Sequence, residues 1–384
     1  MKLIVCSDPL SVQVIYVMTY DPFVRGPSLA GVSSDIWHDV ETGRELSVEI
    51  WYPSSEPNEG QDLKADTQDQ FVVPGLSGEP GSKAHQAAVR DVKKKPGELP
   101  MIVLVHGYAG HRRELTYLGT HLASHGFLVV AADHVGSTYA DIDDLVNNAR
   151  RDGRHFTRAE IMPALFAARR TDIPFLIDTA TDRFDIHQEC VGITGASLGG
   201  WTSLMAPSVD GRIKASAPMC PSGGESPTYP RGQNAARDAL DFNWQADTAT
   251  MFMVASHDSW LPLHGQIELF RRTPGSKRLF VLERADHNHF VDDIAVGHEW
   301  LRTFTASLAD VETEGGTDWH CIAKGMLPYS ELCSEHKAHA CWRGLCVAHM
   351  DAHLRGNEDA LVFLDVALQE LSARDIDVVE LSSG

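Results

Sequence analysis

From residue 100 onward, the chain alternates short apolar runs with segments of helical periodicity. The apolar runs are residues 101–106, 127–133, 190–194, 213–219, 250–255 and 278–282. A strand that is apolar on both sides is buried on both faces, which is typical of a parallel sheet covered by helices. The helical segments between and after these runs are residues 111–125, 158–180, 263–272 and 292–308. The pattern predicts an α/β fold with a mostly parallel, doubly wound sheet and helices on both faces.

The remaining segments surround this core. We interpret residues 1–30 as an N-terminal extension with a strand near 12–18, and residues 31–308 as the α/β core, which opens with a hairpin over 32–52. Within the core, residues 54–99 are predicted to be an insertion loop with a short helix near 83–92. Residues 134–157 and 220–245 are predicted to be loops. Residues 309–384 form a C-terminal extension with helices near 345–354 and 359–371, and we predict that part of it covers the pocket as a lid.

Composition and charge narrow the class of protein. The chain has 384 residues, of which 43% are hydrophobic, enough for one large domain with insertions or two ordinary domains. The formal net charge of −20 repels phosphate backbones, so nucleic acid is not expected as a partner. No stretch reaches about 18 apolar residues without charges, so no integral membrane segment is expected. Oligomeric state is left open.

The cysteines and the N-terminus bear on location. Seven cysteines, with no C-x-x-C spacing, favour reduced thiols and a cytoplasmic protein, while secretion and a disulfide in the C-terminal part remain alternatives. Asp8 and Pro9 interrupt the first apolar run, which disfavours a signal peptide. Histidines and cysteines crowd the C-terminal part: His320, Cys321, Cys333, His336, His339, Cys341, Cys346, His349 and His353. Their spacing matches no zinc-finger pattern, so no metal is predicted.

One stretch carries a chemical signature. Gly195-Ala196-Ser197-Leu198-Gly199 matches G-x-S-x-G, with an apolar strand before it and a helical segment after it. In this motif a serine stands on a sharp strand-to-helix turn, and the glycines leave room for the surrounding backbone. A glycine-rich turn without chemistry is the alternative interpretation. The motif therefore needs partners elsewhere in the chain.

Such partners follow the later strands. Asp258 comes shortly after the run 250–255, and His287 after the run 278–282. Functional groups gather at the carboxyl ends of parallel strands, and the chain order Ser, Asp, His is that of α/β-hydrolases. We predict that Ser197 is the nucleophile, His287 its base and Asp258 the acid. Asp258 as a helix N-cap and His289 as the base are the alternatives.

Further residues are predicted to shape the site. The backbone N–H groups of Tyr108 and Leu198 would form an oxyanion hole, because Tyr108 follows the strand 101–106 in the loop His106-Gly107-Tyr108. His134, Trp201 and Trp260 are predicted to contact the substrate, with packing as the alternative for both tryptophans.

The sequence resembles a known group of bacterial α/β-hydrolases. The quoted motifs, together with Val48–Pro53, Ala132-Asp133-His134 and Ala285-Asp286-His287-Asn288-His289-Phe290, resemble the platelet-activating-factor acetylhydrolases, dienelactone hydrolases and cutinase-like polyester hydrolases. Dienelactone hydrolases use a cysteine where this chain has Ser197. The animal acetylhydrolases carry their acid after the strand that follows the elbow helix, where this chain has Cys220. The resemblance therefore implies an acid at Asp258, as in the polyester hydrolases.

These observations predict a serine carboxylic-ester hydrolase that forms an acyl-enzyme on small to medium esters. It would need no cofactor, and its partner would be a small-molecule ester. An acyltransferase or amidase with the same residues is one alternative, and a catalytically inactive binding protein with the hydrolase fold is another. The acyl and alcohol groups are not readable from the sequence.

Overall fold

The computed structural model describes residues 2–8, 11–17, 20–73, 81–154, 156–229, 232–244, 247–310 and 316–381. Its strands are β1 (Lys2–Asp8), β2 (Ser11–Val17), β3 (Ala30–Asp39), β4 (Arg44–Pro53), β5 (Asp69–Val73), β6 (Ser82–Gln86), β7 (Val89–Arg90), β8 (Leu99–Val105), β9 (Leu128–Ala132), β10 (Ile186–Ala196), β11 (Ile213–Met219), β12 (Ala249–Ala255), β13 (Lys277–Leu282) and β14 (Val378–Leu381). Its helices are α1 (Thr116–Ser124), α2 (Tyr139–Arg151), α3 (Arg158–Arg183), α4 (Leu198–Met205), α5 (Ala235–Asp238), α6 (Leu263–Arg272), α7 (Ile294–Leu308), α8 (Trp319–Gly325), α9 (Glu335–Leu354), α10 (Glu358–Asp365) and α11 (Ala367–Ser372).

The central sheet has the order β14-β13-β12-β11-β10-β8-β9-β4-β3-β7. The six strands from β13 to β9 are parallel to one another. On one side of them, β4 pairs antiparallel with β9 and β3 pairs antiparallel with β4, and on the other side β14 pairs antiparallel with β13. These central strands are buried along nearly their whole length. Parallel strands buried on both faces are covered by helices on both sides, so the predicted α/β-hydrolase architecture is confirmed.

Helices cover both faces of the sheet. The cluster on one face includes apolar residues of α3 and α6, such as Ile173, Leu176 and Leu269. The cluster on the other face includes Leu118 and Leu122 of α1 and much of α9. Because the six central strands are parallel, the strands before the predicted catalytic residues all have their carboxyl ends at the same edge of the sheet.

The insertion differs from the prediction. Instead of a surface loop with a helix near 83–92, the chain forms an antiparallel β5–β6 pair and adds β7 beside β3. Buried Gln86 accounts for much of this arrangement, since its side chain accepts a bond from the Trp51 indole and donates to Asp69, both at 2.6 Å. These partners lie far away in sequence, so local composition could not reveal the strands.

Residues 134–157 were also predicted to be a loop, and this is wrong because they contain helix α2. Thr138 caps the helix: its hydroxyl accepts from the N–H of Asp141, and the Asp141 carboxylate accepts from the N–H of Thr138. Only Ala149 of α2 is buried. Ile142, Leu145, Val146 and Ala149 recur at helical spacing, so the sequence carried a helix signal that the surrounding polar residues obscured.

The C-terminal extension contributes to the core. Helix α9 lies on the sheet, where Met350 fills the space left by Gly192 of β10. Strand β14, which was not predicted, pairs with β13, and Glu380 binds Arg278 across the pair at 2.6 and 3.0 Å. Helix α9 is part of the core, and none of the described residues of the extension lines the cleft around Ser197, so the lid stays a prediction. Cys190, Cys220, Cys321, Cys333, Cys341 and Cys346 are free thiols. No described helix is long and apolar enough to cross a membrane.

Candidate active site

Ser197 lies on a strained turn between β10 and α4. Its φ and ψ are 59° and −112°, a conformation that residues with a side chain rarely adopt. The turn is held from behind by β11, because the N–H of Ser197 donates to Met219 O at 3.0 Å. The strain presents the serine side chain above the carboxyl edge of the sheet.

The glycines of the motif allow this close approach of backbone to backbone. A Cβ on Gly195 would stand 2.3 Å from Val105 O, and one on Gly199 would stand 2.1 Å from the same oxygen. Real Cβ atoms do not come so near a carbonyl oxygen, so the elbow fits against the end of β8 only with glycine at both positions.

The structure brings Ser197, His287 and Asp258 together. Nε2 of His287 lies 3.2 Å from the Ser197 hydroxyl, and Nδ1 lies 2.9 Å from a carboxylate oxygen of Asp258. The other Asp258 oxygen accepts from the N–H groups of Trp260 and Leu261 at 2.9 and 2.7 Å, which fixes the carboxylate. Helix α6 has Pro262 at its N-cap, so Asp258 is not the cap of that helix.

The protonation of His287 reflects two opposed effects. Burial disfavours the imidazolium, but the Asp258 carboxylate and the sulfur of Cys220 favour it more, and the pKa of His287 stands well above its ordinary value. His289, the alternative base, has a different environment: its ring bonds to the backbone of Asp286 and Cys333, and burial lowers its pKa to about 4. The geometry therefore favours His287 over His289 as the base.

Two residues near this group were not foreseen. Cys220, at the end of β11, directs its thiol to His287, and burial raises the pKa of the thiol. Asp286 accepts from the N–H groups of Ser259 and His287 at 2.9 and 2.7 Å, so it ties the acid loop to the histidine loop. The position of Asp286 beside His287 was a sequence signal for a role in the site. An aspartate in an ordinary turn looks the same in the sequence, so the signal did not identify that role.

The loop after β8 approaches Ser197 closely. A Cβ on Gly107 would stand 3.5 Å from the Ser197 Cβ, and the N–H of Gly107 donates to the Glu114 carboxylate at 2.9 Å. Burial raises the pKa of Glu114. Among the described residues, the N–H groups of Tyr108 and Leu198 have no protein acceptor. An oxyanion hole is built from such free N–H groups, so Tyr108 and Leu198 stay the predicted donors.

A cleft of about 330 Å³, including its open mouth, surrounds the serine. Five of the predicted site residues line it: Tyr108, Ser197, Leu198, Trp260 and His287. Six residues that were not predicted also line it: Arg158, Met162, Ser222, Thr228, Tyr229 and Leu261. The Trp260 ring stacks near His287, with centroids 6.0 Å apart, and forms one wall.

Two predicted substrate contacts lie elsewhere. His134 is buried beneath the loop after β8, with Nδ1 bonded to Asp172 at 2.7 Å, and does not line the cleft. Trp201 is fully buried against Phe166, and its indole N–H donates to Ala236 O at 2.7 Å. Both predictions are corrected: His134 Nδ1 and the Trp201 indole N–H bond to interior partners, and neither side chain lines the cleft.

In the part of the chain that the structure describes, one group of three potential metal ligands converges. The ligating atoms of Cys220, Asp258 and His287 lie within 4.8 Å of one another. Both ring nitrogens of His287 already have hydrogen-bond partners in Asp258 and Ser197, so neither is left to ligate a metal ion. The histidines and cysteines of the C-terminal segment form no such group of three within the described residues.

Comparisons with known proteins agree with this geometry. A sequence model described as PET hydrolase-like matches residues 90–233, and one for platelet-activating factor acetylhydrolase, isoform II, matches residues 24–146. A ferulic acid esterase from Streptomyces cinnamoneus has a similar structure, with 20% sequence identity, a TM-score of 0.53 and coverage of 87% of this chain and 92% of that one. No curated protein sequence matches significantly. The chain therefore has the α/β-hydrolase fold and is similar, over the matched residues, to ester hydrolases of these two families.

Proposed function

We propose that this chain hydrolyses small carboxylic esters through a serine nucleophile and an acyl-enzyme intermediate. The observation that carries the proposal is the continuous hydrogen-bonded series from Ser197 through His287 to Asp258 in a cleft open to solvent. A serine hydroxyl is a weak nucleophile, and an adjacent imidazole that accepts its proton overcomes this weakness.

The steps follow from the positions of the atoms. The Ser197 oxygen bonds to the ester carbonyl carbon while its proton passes to Nε2 of His287, and Asp258 stabilises the resulting imidazolium. The negative charge on the former carbonyl oxygen is received by the free N–H groups of Tyr108 and Leu198. His287 then gives the proton to the departing alcohol.

The second half repeats the first with water. His287 removes a proton from a water molecule, whose oxygen attacks the acyl carbon bound to Ser197. The tetrahedral species breaks down to release a carboxylic acid, and the proton returns to the serine. Every proton and bond is accounted for by these three side chains and water, so the proposal requires no cofactor.

The test compares Ser197→Ala with Ser203→Ala on p-nitrophenyl acetate. Ser203 is on the same helix α4, but it is buried with its hydroxyl bonded to Gly199 O and does not line the cleft. We expect Ser197→Ala to lose about 10⁴-fold or more in kcat, and Ser203→Ala to keep most of its activity. An organophosphate should label the peptide that contains Ser197. Wild-type rates in Ser197→Ala, or labelling at another residue, would refute the proposal.

A further inference from the structure

The cleft contains a cation that nothing in the ester-hydrolysis mechanism uses. Arg158, the first residue of α3, lines the same cleft as Ser197 and His287. Its guanidinium lies 5.8 Å from the ring centroid of Tyr108 and 5.1 Å from that of Tyr229. One nitrogen donates to Thr228 O at 2.5 Å. These contacts hold the guanidinium in the cleft and leave further N–H donors for a ligand.

Arg158 has no carboxylate partner within the described residues. Many other arginines of this acidic chain are paired with carboxylates, including Arg154, which binds Glu160 at 3.2 Å just before α3. The residues that line the cleft with Arg158 include no aspartate or glutamate. An arginine side chain stays charged at every relevant pH, so its charge in the cleft is uncompensated by the protein.

The position of Arg158 in its helix is also unfavourable. The N-terminus of a helix carries a partial positive charge, so an arginine in the first turn is repelled by it. Glu160, whose carboxylate accepts from the N–H and the hydroxyl of Thr157, already offsets the charge of the helix terminus, so the guanidinium in the cleft is the group left for an anion. With a net charge of −20, the rest of the protein repels anions, so selective binding of one requires such a local cation.

We propose that the substrate of this esterase carries a free carboxylate, which Arg158 binds while Ser197 attacks the ester carbonyl. The proposal rests on the function proposed above and adds the substrate class: short esters with one carboxylate, such as half-esters of dicarboxylic acids. Arg158 is a specificity residue in this account. Its planar donors suit the two oxygens of a carboxylate, and the neighbouring rings of Tyr108 and Tyr229 limit the positions of the guanidinium.

The test uses two matched pairs of esters. The first pair is the mono-p-nitrophenyl ester of adipic acid and its neutral methyl ester, which differ by a carboxylate on the acyl side. The second is 4-acetoxybenzoate and its methyl ester, which differ by a carboxylate on the alcohol side. Uncatalysed rates are subtracted. Wild type should prefer the charged member of one pair, and the pair concerned shows which side of the scissile bond faces Arg158.

The variants are Arg158→Met and Arg158→Lys. The control is Arg154→Met, which also removes one positive charge, but from a residue that precedes α3 and does not line the cleft. In Arg158→Met, the ratio of kcat/KM for the charged over the neutral ester should fall about 10- to 100-fold, the size of a lost charged hydrogen-bonding pair. Arg158→Lys should recover part of that ratio, and Arg154→Met should keep the wild-type ratio.

Two outcomes would overturn the inference: a wild-type enzyme without preference in either pair, or an Arg158→Met variant whose ratio equals that of wild type. Neither would affect the proposed mechanism, which is tested separately by the activity of Ser197→Ala on the neutral esters and by organophosphate labelling. Because each ratio compares two substrates on one enzyme preparation, a loss of folded protein in a variant cancels.

Discussion

The approach of the elbow to β8 makes a sharp prediction for Gly199→Ala. The added methyl group would stand 2.1 Å from Val105 O, 2.9 Å from the Val105 carbonyl carbon and 3.0 Å from His106 O. All three atoms belong to backbone, which cannot rotate away as a side chain can. Relief requires the elbow and β8 to separate by about 1 Å, which displaces the turn that holds Ser197.

The size of the effect follows from this geometry. Overpacking against backbone lies at the upper end of the usual range, so we expect a cost of about 3 kcal/mol in the free energy of unfolding. With an unfolding entropy of about 2 cal/mol/K per residue, Tm falls by about 4 °C. A displacement of about 1 Å at the nucleophile costs roughly 100-fold in kcat.

Gly107→Ala provides the matched control for folding. It lies on the facing loop, its φ is not positive, and its added methyl group would have no neighbour nearer than 3.5 Å. Thermal unfolding followed by circular dichroism should show a Tm near that of wild type for Gly107→Ala and a clear decrease for Gly199→Ala. Kinetics on p-nitrophenyl acetate complete the comparison. Equal Tm and equal kcat for wild type and Gly199→Ala would refute the steric account.

Three further predictions concern the site and its supports. In wild type, kcat/KM should fall tenfold per pH unit below the raised pKa of His287, because the imidazolium cannot accept the serine proton. Asp258→Asn should shift this decrease to lower pH and reduce kcat about 10³- to 10⁴-fold. A pH–rate profile of both proteins measures the two effects. Glu114→Ala leaves the N–H of Gly107 without its acceptor, so kcat should fall about tenfold while KM changes little; an unchanged kcat would dismiss a positioning role. Thr138→Ala removes the cap of α2 and should lower stability by about 1 kcal/mol in urea unfolding, without altering kcat.

Much of the fold was predictable because its elements are locally encoded. The runs that became β11 and α6 were predicted at their observed bounds, since each is apolar along its length or on one face and is bounded by turn residues. Two sets of elements were not predicted from the sequence. Helix α2 begins at a polar cap, and strands β5 to β7 are held by hydrogen bonds around the buried side chain of Gln86. Helix α9 was predicted only in its C-terminal half, because its buried side chains surround it nearly completely and hide the helical period.

For the site, the sequence alone determined the kinds of groups and their order: a serine between glycines, then an aspartate, then a histidine, each after an apolar run. Parallel strands deliver their carboxyl ends to one edge, so this order already implied a meeting place. It favoured His287 but left His289 as an alternative, because two residues so close in sequence differ only in where the 3₁₀ turn after Asp286 directs their rings.

Tertiary structure alone decided which side chains face the cleft. His134 and Trp201 follow strand ends as the true wall residues do, yet His134 Nδ1 bonds to Asp172 and the Trp201 indole bonds to Ala236 O in the interior. Arg158 had no signal at all, since it begins a helix that is remote in sequence from the elbow and reaches the cleft only because α3 packs across the sheet. The types of catalytic residue in this protein can be read from local sequence motifs. Its selectivity depends on contacts between distant segments, which no local pattern encodes.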